Sequence, residues 1–236
     1  MGALREGERH APTSLGDDVG HAAGALRQPL GHRQHGGDVV RLLDAEGGLG
    51  GKLLYAGELD AEGCHLVRAA NIAGAASLSA TADQSAQRQA IREGVIDFLV
   101  TSLDEAVRIL KNEIRKRNAA AVGICAAPEL IAEQMRERGV LPDLVRSSAP
   151  PEEIAGFVAQ GARVVALVAQ PAGCAFYLFA DPPADFEARA LARIAESDHA
   201  ARRWLRLSPR YLGPQARRVR SLSCDRETAN LLKADS

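Results

Sequence analysis

Apolar residues in this chain gather into short unbroken runs spaced by segments of helical period. That is the pattern of strands buried on both faces of a sheet and covered by helices. The runs lie at 52–56, 76–81, 96–100, 121–125, 143–145 and 164–168. Between them the spacing predicts amphipathic helices at about 65–74, 128–138 and 152–160. A further helix starts after Ser102, whose hydroxyl and the Glu105 carboxylate form a capping box that satisfies otherwise orphaned amides. It sets Ala106, Ile109, Leu110 and Ile114 on one face and Arg108, Lys111, Arg115 and Lys116 on the other. The alternation predicts an α/β fold: a Rossmann-like, doubly wound, mostly parallel sheet with helices on both faces.

The two ends read differently. Residues 1–37 are rich in Gly, His and Arg without a sustained apolar period, which predicts a weakly ordered arm. A short amphipathic helix is expected from Asp38 to the Gly47-Gly48 pair. After the turn-forming residues Gln170, Pro171, Ala172 and Gly173, the run 174–180 predicts one more strand, an antiparallel edge hairpin with the strand before it. Residues 181–236 read as a basic helical extension. Pro183 and the acids beside it suit a helix start, and Phe186, Ala190, Leu191 and Ile194 follow at helical spacing. The organisation expected is an arm over 1–37, a Rossmann domain over 38–180 and a carboxyl-terminal extension over 181–236.

Composition narrows the setting. A hydrophobic content of 46% in 236 residues is enough to bury one sizeable core. The net charge of -1 gives no global attraction to nucleic acid or to a membrane. Cys64, Cys125, Cys174 and Cys224 are widely spaced, and no apolar run approaches the roughly 20 residues of a membrane span. These features predict a cytoplasmic protein with reduced thiols. The one strong local asymmetry is the stretch from Arg202 to Arg226, with eight arginines and only Asp225 as an acid. Together with Trp204 and Tyr211 it could bind phosphates and stack bases. Amphipathic packing of Leu205, Leu207, Leu212 and Val219 is the favoured reading, and Pro209 and Pro214 interrupt any long recognition helix.

Three motifs fail on their chemistry. A P-loop ending at Gly51-Lys52 would need Gly and Ser or Thr where Glu46 and Leu53 stand, and it precedes the strand it should follow. His10, His21, His32 and His35 lie in the flexible arm without thiolate partners, so no metal site is expected. Cys64 stands near a helix start among Glu58, Asp60 and Glu62 with no evident base, which predicts a packing residue. In the first strand-to-helix loop a dinucleotide fingerprint would supply G-x-G-x-x-G, with an acid ending the second strand. Here the loop has Gly57 and Gly63 among three carboxylates, and Thr81 stands at the acid's place. Those carboxylates would repel a pyrophosphate where amides ought to attract it.

The segments GGKLLYAGELDAEG, AANIAGAASLSA, TSLDEAVRILKNEIRKR and VGICAAPELIAEQMRERGVLPDLV, with Ile96-Asp97 in register, resemble the central Rossmann-like domain of urocanase (urocanate hydratase), the NAD-dependent enzyme of histidine breakdown. The family's glycine-rich G-G-x-G-G-A-Q loop corresponds here to Asp60, Ala61, Glu62, Gly63, Cys64, His65 and Leu66. Its T-D-Q-T-S-A-H-D after the fifth strand corresponds to RSSAPPEE from Arg146 to Glu153. The resemblance implies an enzyme more than twice this length, whose flanking catalytic core is not expected in this chain.

Two function classes follow. One is a small-ligand- or partner-binding accessory protein with no bound cofactor expected. The other is an NAD-dependent urocanate hydratase, or another enzyme using a nucleotide. Any pocket is expected at the carboxyl edge of the sheet, above Gly57, Gly63, Thr81, Ser102 and Ala126. It should prefer a neutral or cationic group, unless the arginine-rich helices close it by pairing with Glu58, Asp60 and Glu62.

Overall fold

The computed structural model describes residues 48–165, 173–212 and 218–234. The arm over 1–37, the helix expected from Asp38, the end of the sixth run and the turn at 170–172 lie outside the described residues.

Six parallel strands form the main sheet in the order β3-β4-β2-β1-β5-β6. They are β1 (Leu53–Glu58), β2 (Ala76–Ala80), β3 (Phe98–Val100), β4 (Ala121–Ile124), β5 (Leu144–Arg146) and β6 (Arg163–Val165). The strand at Lys52 to Ala56 is therefore interior, as a Rossmann-like fold requires. Alternation along β1 explains its burial. Leu54 and Ala56 enter a core on one face, while Leu53 and Tyr55 enter a second core on the other.

The first face is covered by α1 (Ala61–Ala73) and α2 (Gln84–Arg92), which contribute Leu66, Val67, Ala70 and Ala90. The second is covered by α3 (Leu103–Lys116), α4 (Pro128–Glu137) and α5 (Pro151–Val158), which contribute Leu110, Ile131, Met135 and Phe157. Ser102 caps α3 as expected, its Oγ accepting the Glu105 amide at 3.3 Å. The return bond of the Glu105 carboxylate goes to the Thr101 amide, one residue earlier than the capping box predicts. Helix α2 went unforeseen because it is mostly polar and buries only Gln87 and Ala90.

Two expectations are corrected. An antiparallel ladder does include β7 (Cys174–Ala180), but its partner is β8 (Val219–Asp225), matched over seven residues, and not the strand before it. The ladder forms a separate two-stranded sheet. Residues read as helical therefore supply a strand, and the boundary drawn at 180 cuts a hydrogen-bonded pair. Charges at Arg218 and Arg220 hid the period-two signal of Leu222 and Cys224, which enter a third core with Phe179, Phe186, Ala190, Leu205 and Leu232.

Around this ladder lie α6 (Phe186–Arg193), α7 (His199–Leu207), the short α8 (Pro209–Leu212) and α9 (Arg226–Ala234). Helices α7 and α8 dock the unit by placing Ala200, Trp204 and Tyr211 in the first-face core of the main sheet. Among the described residues no helix is long and apolar enough to cross a membrane.

Candidate functional site

Strand order reverses at β1, which has β2 on one side and β5 on the other. In open α/β sheets the carboxyl ends of such a strand pair frame the ligand crevice. Here they frame Gly57 and Glu58 from β1, Asp60 and Glu62 at the start of α1, and Arg146 at the end of β5.

Asp60 begins α1 four residues earlier than the pattern predicts. Its carboxylate accepts the Gly63 amide at 2.7 Å and its carbonyl accepts the Cys64 amide at 2.9 Å. Glu62, Gly63 and Cys64 are thus in the first helical turn and not in a loop. Gly63 is required by the close approach of that turn to β1. A Cβ there would stand 1.9 Å from the Glu58 carbonyl oxygen, so the helix start is pressed against the end of β1.

Arg146 lies across this corner with its side chain only 7% exposed. Its Nη1 donates to the carbonyls of Ala56 at 3.3 Å and Glu58 at 3.1 Å, and to Asp60 Oδ1 at 3.2 Å. Nη2 donates to Asp60 Oδ2 and Glu62 Oε2, both at 3.0 Å, and Nε donates to Ser148 Oγ at 2.7 Å. Ser148 in turn donates to Glu62 Oε2 at 2.7 Å. Every guanidinium nitrogen has a partner, which is what a buried charge requires.

Burial alone would raise the Asp60 carboxyl and lower the Arg146 guanidinium. The hydrogen bonds and charges they exchange outweigh it, holding Asp60 below the usual carboxylate range and Arg146 above its ordinary value. Gly57 completes the corner. It has φ +65° at a register shift in β1, and a Cβ there would meet Arg146 Cδ at 3.3 Å.

Of the five residues expected to line the site, Gly57 and Gly63 meet at this network. Thr81, Ala126 and Ser102 follow β2, β4 and β3 in a row leading away from β5 along the same edge. Thr81 is buried and holds the start of α2, its Oγ1 accepting the Asp83 amide at 3.2 Å and its carbonyl accepting Gln87 Nε2 at 2.9 Å. Ser102 is exposed and engaged in capping α3, and half-buried Ala126 packs on the second core. Arg146 escaped the sequence reading. The available signal was charge complementarity between Asp60 and Glu62 after one strand and Arg146 at the end of its neighbour.

The carboxyl-terminal arginines with described contacts are engaged elsewhere. Arg202 donates to the Leu191 and Ile194 carbonyls at 2.9 Å, Arg210 pairs with Asp97, and Arg218 pairs with Asp181 at 3.0 Å. Among the described residues, the guanidinium reaching Asp60 and Glu62 belongs to β5 and not to the carboxyl-terminal helices. Trp204 is 4% and Tyr211 5% exposed, so neither ring is presented at the surface. Burial pushes the Cys64 thiol up to about 11, with Sγ 3.7 Å from the Leu59 carbonyl, as befits a packing residue. A cavity of about 450 Å³ opens beside the corner, between α1 and α2.

Residues 39–169, more than half of the chain, match the Rossmann-like domain of urocanase. The S-methyl thiourocanate hydratase of Variovorax sp. (strain JCM 16519 / RA8) is 25% identical over 154 residues, which is 65% of this chain and 26% of that enzyme. The chain thus spans about a quarter of the length of that relative.

Proposed function

The chain belongs to the urocanase family through its Rossmann-like domain, and from that premise we propose that it is a small-ligand- or partner-binding module in which an internal ion-pair network replaces the dinucleotide cradle. The carrying observation is the pairing of Arg146 with Asp60. In a dinucleotide site the first-turn amides of the helix after β1 are left for a phosphate. Here the Asp60 carboxylate takes the Gly63 amide and Arg146 neutralises that carboxylate, so the chain supplies both the anion and its counter-charge.

A pyrophosphate approaching this corner would have to displace Asp60, separate it from Arg146 and sit beside Glu62. These residues do not fit the diphosphate of NAD at this position, and no chemical step is assigned to it. The retained strands and helix caps serve instead to hold a shaped edge of the sheet.

The test is a melting-temperature titration with NAD. A ligand at 100 times its dissociation constant stabilises the native state by about 2.7 kcal/mol, so an NAD-binding chain would show a large rise in melting temperature. We expect none for the native sequence. We expect a rise once Asp60→Gly, Glu62→Gly and Arg146→Thr are combined, because that variant frees the amides and removes the plug together. NAD-dependent stabilisation of the native sequence would overturn the reading. The hydratase relative favours a second reading, in which this domain serves a urocanate-type hydratase. Urocanate turnover by the purified chain with NAD would establish it.

A further inference from the structure

The edges of the two sheets are protected unequally. In the main sheet the outer strands β3 and β6 have three residues each, and edge strands that short offer little to an added chain. Strand β7 is also an edge, since β8 is its one neighbour in the second sheet. It runs for seven residues as CAFYLFA, with no charge, proline or glycine, and its register with β8 has no bulge. Leu178 is 42% exposed there, and Ala175 and Ala180 are exposed as well. Edge strands of this length and apolarity are normally blunted by lysine, proline, a bulge or a covering element.

The register with β8 shows which backbone groups of β7 are open. The Asp181 N–H donates to the Arg218 carbonyl at 2.6 Å, one step beyond the Ala180–Val219 pair. Hydrogen-bonded pairs alternate along an antiparallel ladder, so Ala175, Tyr177 and Phe179 turn their N–H and C=O groups toward β8. Cys174, Phe176, Leu178 and Ala180 therefore turn theirs outward. Among the described residues none of these outward groups has a hydrogen-bond partner. The strand is also its own complement. Laid antiparallel on a second copy with Tyr177 on the twofold axis, Cys174 faces Ala180 and Phe176 faces Leu178, so the outward N–H groups of each copy meet carbonyls of the other. On one face Phe176 packs beside Leu178, and on the other Ala175 gives room to Phe179. At each end the Arg218–Asp181 ion pair of one copy meets Asp225 and Arg226 of the other, which brings two charges of each sign together.

We propose that the outer edge of β7 docks a second copy of this chain, joining the two ladders into one four-stranded sheet in the order β8-β7-β7-β8. A two-stranded ladder is marginal by itself, while three or more strands sharing an apolar face are stable. A twofold contact of this kind closes on itself and leaves no open edge on β7 for further pairing. The surface lies outside residues 39–169, so it belongs to the carboxyl-terminal unit and does not depend on whether the switch-point corner takes NAD.

The test is sedimentation velocity of the full chain across micromolar concentrations, with amide hydrogen exchange of β7 read on the same protein. The expected species has twice the 25.0 kDa mass of one chain. In it the Phe176 and Leu178 amides should be protected along with those of Ala175, Tyr177 and Phe179, whereas a single chain protects only the second set. Leu178→Pro should raise the dissociation constant at least about tenfold, because it removes an outward N–H from each copy and leaves the bonds to β8 intact. Leu178→Lys serves in the same way if the proline variant does not fold, since a charge then faces Phe176 of the second copy. A single 25.0 kDa species at every concentration, fast exchange at Phe176 and Leu178, or a dimer whose affinity is unchanged by both substitutions would overturn the assignment.

Discussion

Arg146, ending β5, holds Asp60, beginning α1, through both carboxylate oxygens at 3.2 and 3.0 Å, across 86 positions of sequence. The pair joins the end of β5 to the start of α1 beside the switch point, so it fixes the first helix against the sheet. Replacing Arg146 by Met would leave two carboxylates and two carbonyls short of a donor. Asp60 is about half exposed and can be rehydrated, which keeps the cost to about 2–4 kcal/mol, near the low end for breaking a buried pair from one side. Asp60→Ala removes the helix cap as well, worth about 1 kcal/mol. Because the residues act together, the double variant should be less destabilised than the sum of the singles by about 1–3 kcal/mol. Denaturant unfolding of the four proteins measures this coupling, and additive losses would show that the contact carries no energy.

Gly63→Ala should be costly although alanine is the better helix former. The added Cβ would stand 1.9 Å from the Glu58 carbonyl oxygen, which belongs to the backbone and cannot swing aside. Either α1 withdraws from β1 or the first turn unwinds, and both disturb the Asp60 cap. A loss of about 2–3 kcal/mol is expected, in the upper range for overpacking. A melting temperature equal to or above that of the native protein would show that the contact relaxes freely.

The strands of the main sheet could be read from the chain because each is a short apolar run whose two faces are buried. The helices with broad apolar stripes, such as α3, announced themselves by the same logic. Helix α2 did not, since its buried positions are only Gln87 and Ala90 and its start is set by a single cap at Asp83. At the site, the loss of glycines around Asp60 was visible, while its meaning depended on a partner that sequence distance conceals. Arg146 reads as an unremarkable charge until β5 is placed beside β1. In the carboxyl-terminal unit β8 was hidden for a related reason. Arginines dominate its composition, whereas its packing is decided by Trp204, Leu222 and Cys224, which lie among them.

Trp204 anchors that unit to the main sheet. Its ring meets Phe176 edge-on at a centroid distance of 5.3 Å, its Nε1 donates to Ser221 Oγ at 3.1 Å, and it is buried against the first-face core. Trp204→Ala should cost about 3–5 kcal/mol through cavity formation and loss of that bond. Truncation after Ala180 should be worse, because it removes β8 from β7 and strips Trp204 and Tyr211 from the core under α1. The truncated chain should show a much lower melting temperature and bind a hydrophobic dye. A truncated chain as stable as the full one would mean that the unit is a passive appendage.

Glu153 lies on the opposite side of the carboxyl edge, in the first turn of α5, and is only 7% exposed. Burial raises its carboxyl above the usual range, Arg136 and Arg146 pull it down, and Glu129 pushes it up, with a net rise. A raised acid in the folded state makes a definite linkage prediction. Below about pH 4.3, the ordinary glutamate value, both folded and unfolded chains keep the proton and the group is neutral to stability. As pH rises from there through the folded value, the unfolded chain releases the proton first, so stability falls and stays reduced above that window. Glu153→Gln keeps the shape without the charge. It should therefore match the native protein near pH 4 and exceed it in melting temperature at pH 7 to 8, with the gap opening between. Asp60 supplies the contrast: held low in the folded state, it contributes stability above about pH 3.9 that is lost on acidification, so Asp60→Asn should narrow its deficit as pH falls. Melting curves of the three proteins across pH 3 to 8 measure both slopes, and a Glu153→Gln difference independent of pH would show that the carboxyl titrates alike in the folded and unfolded chains.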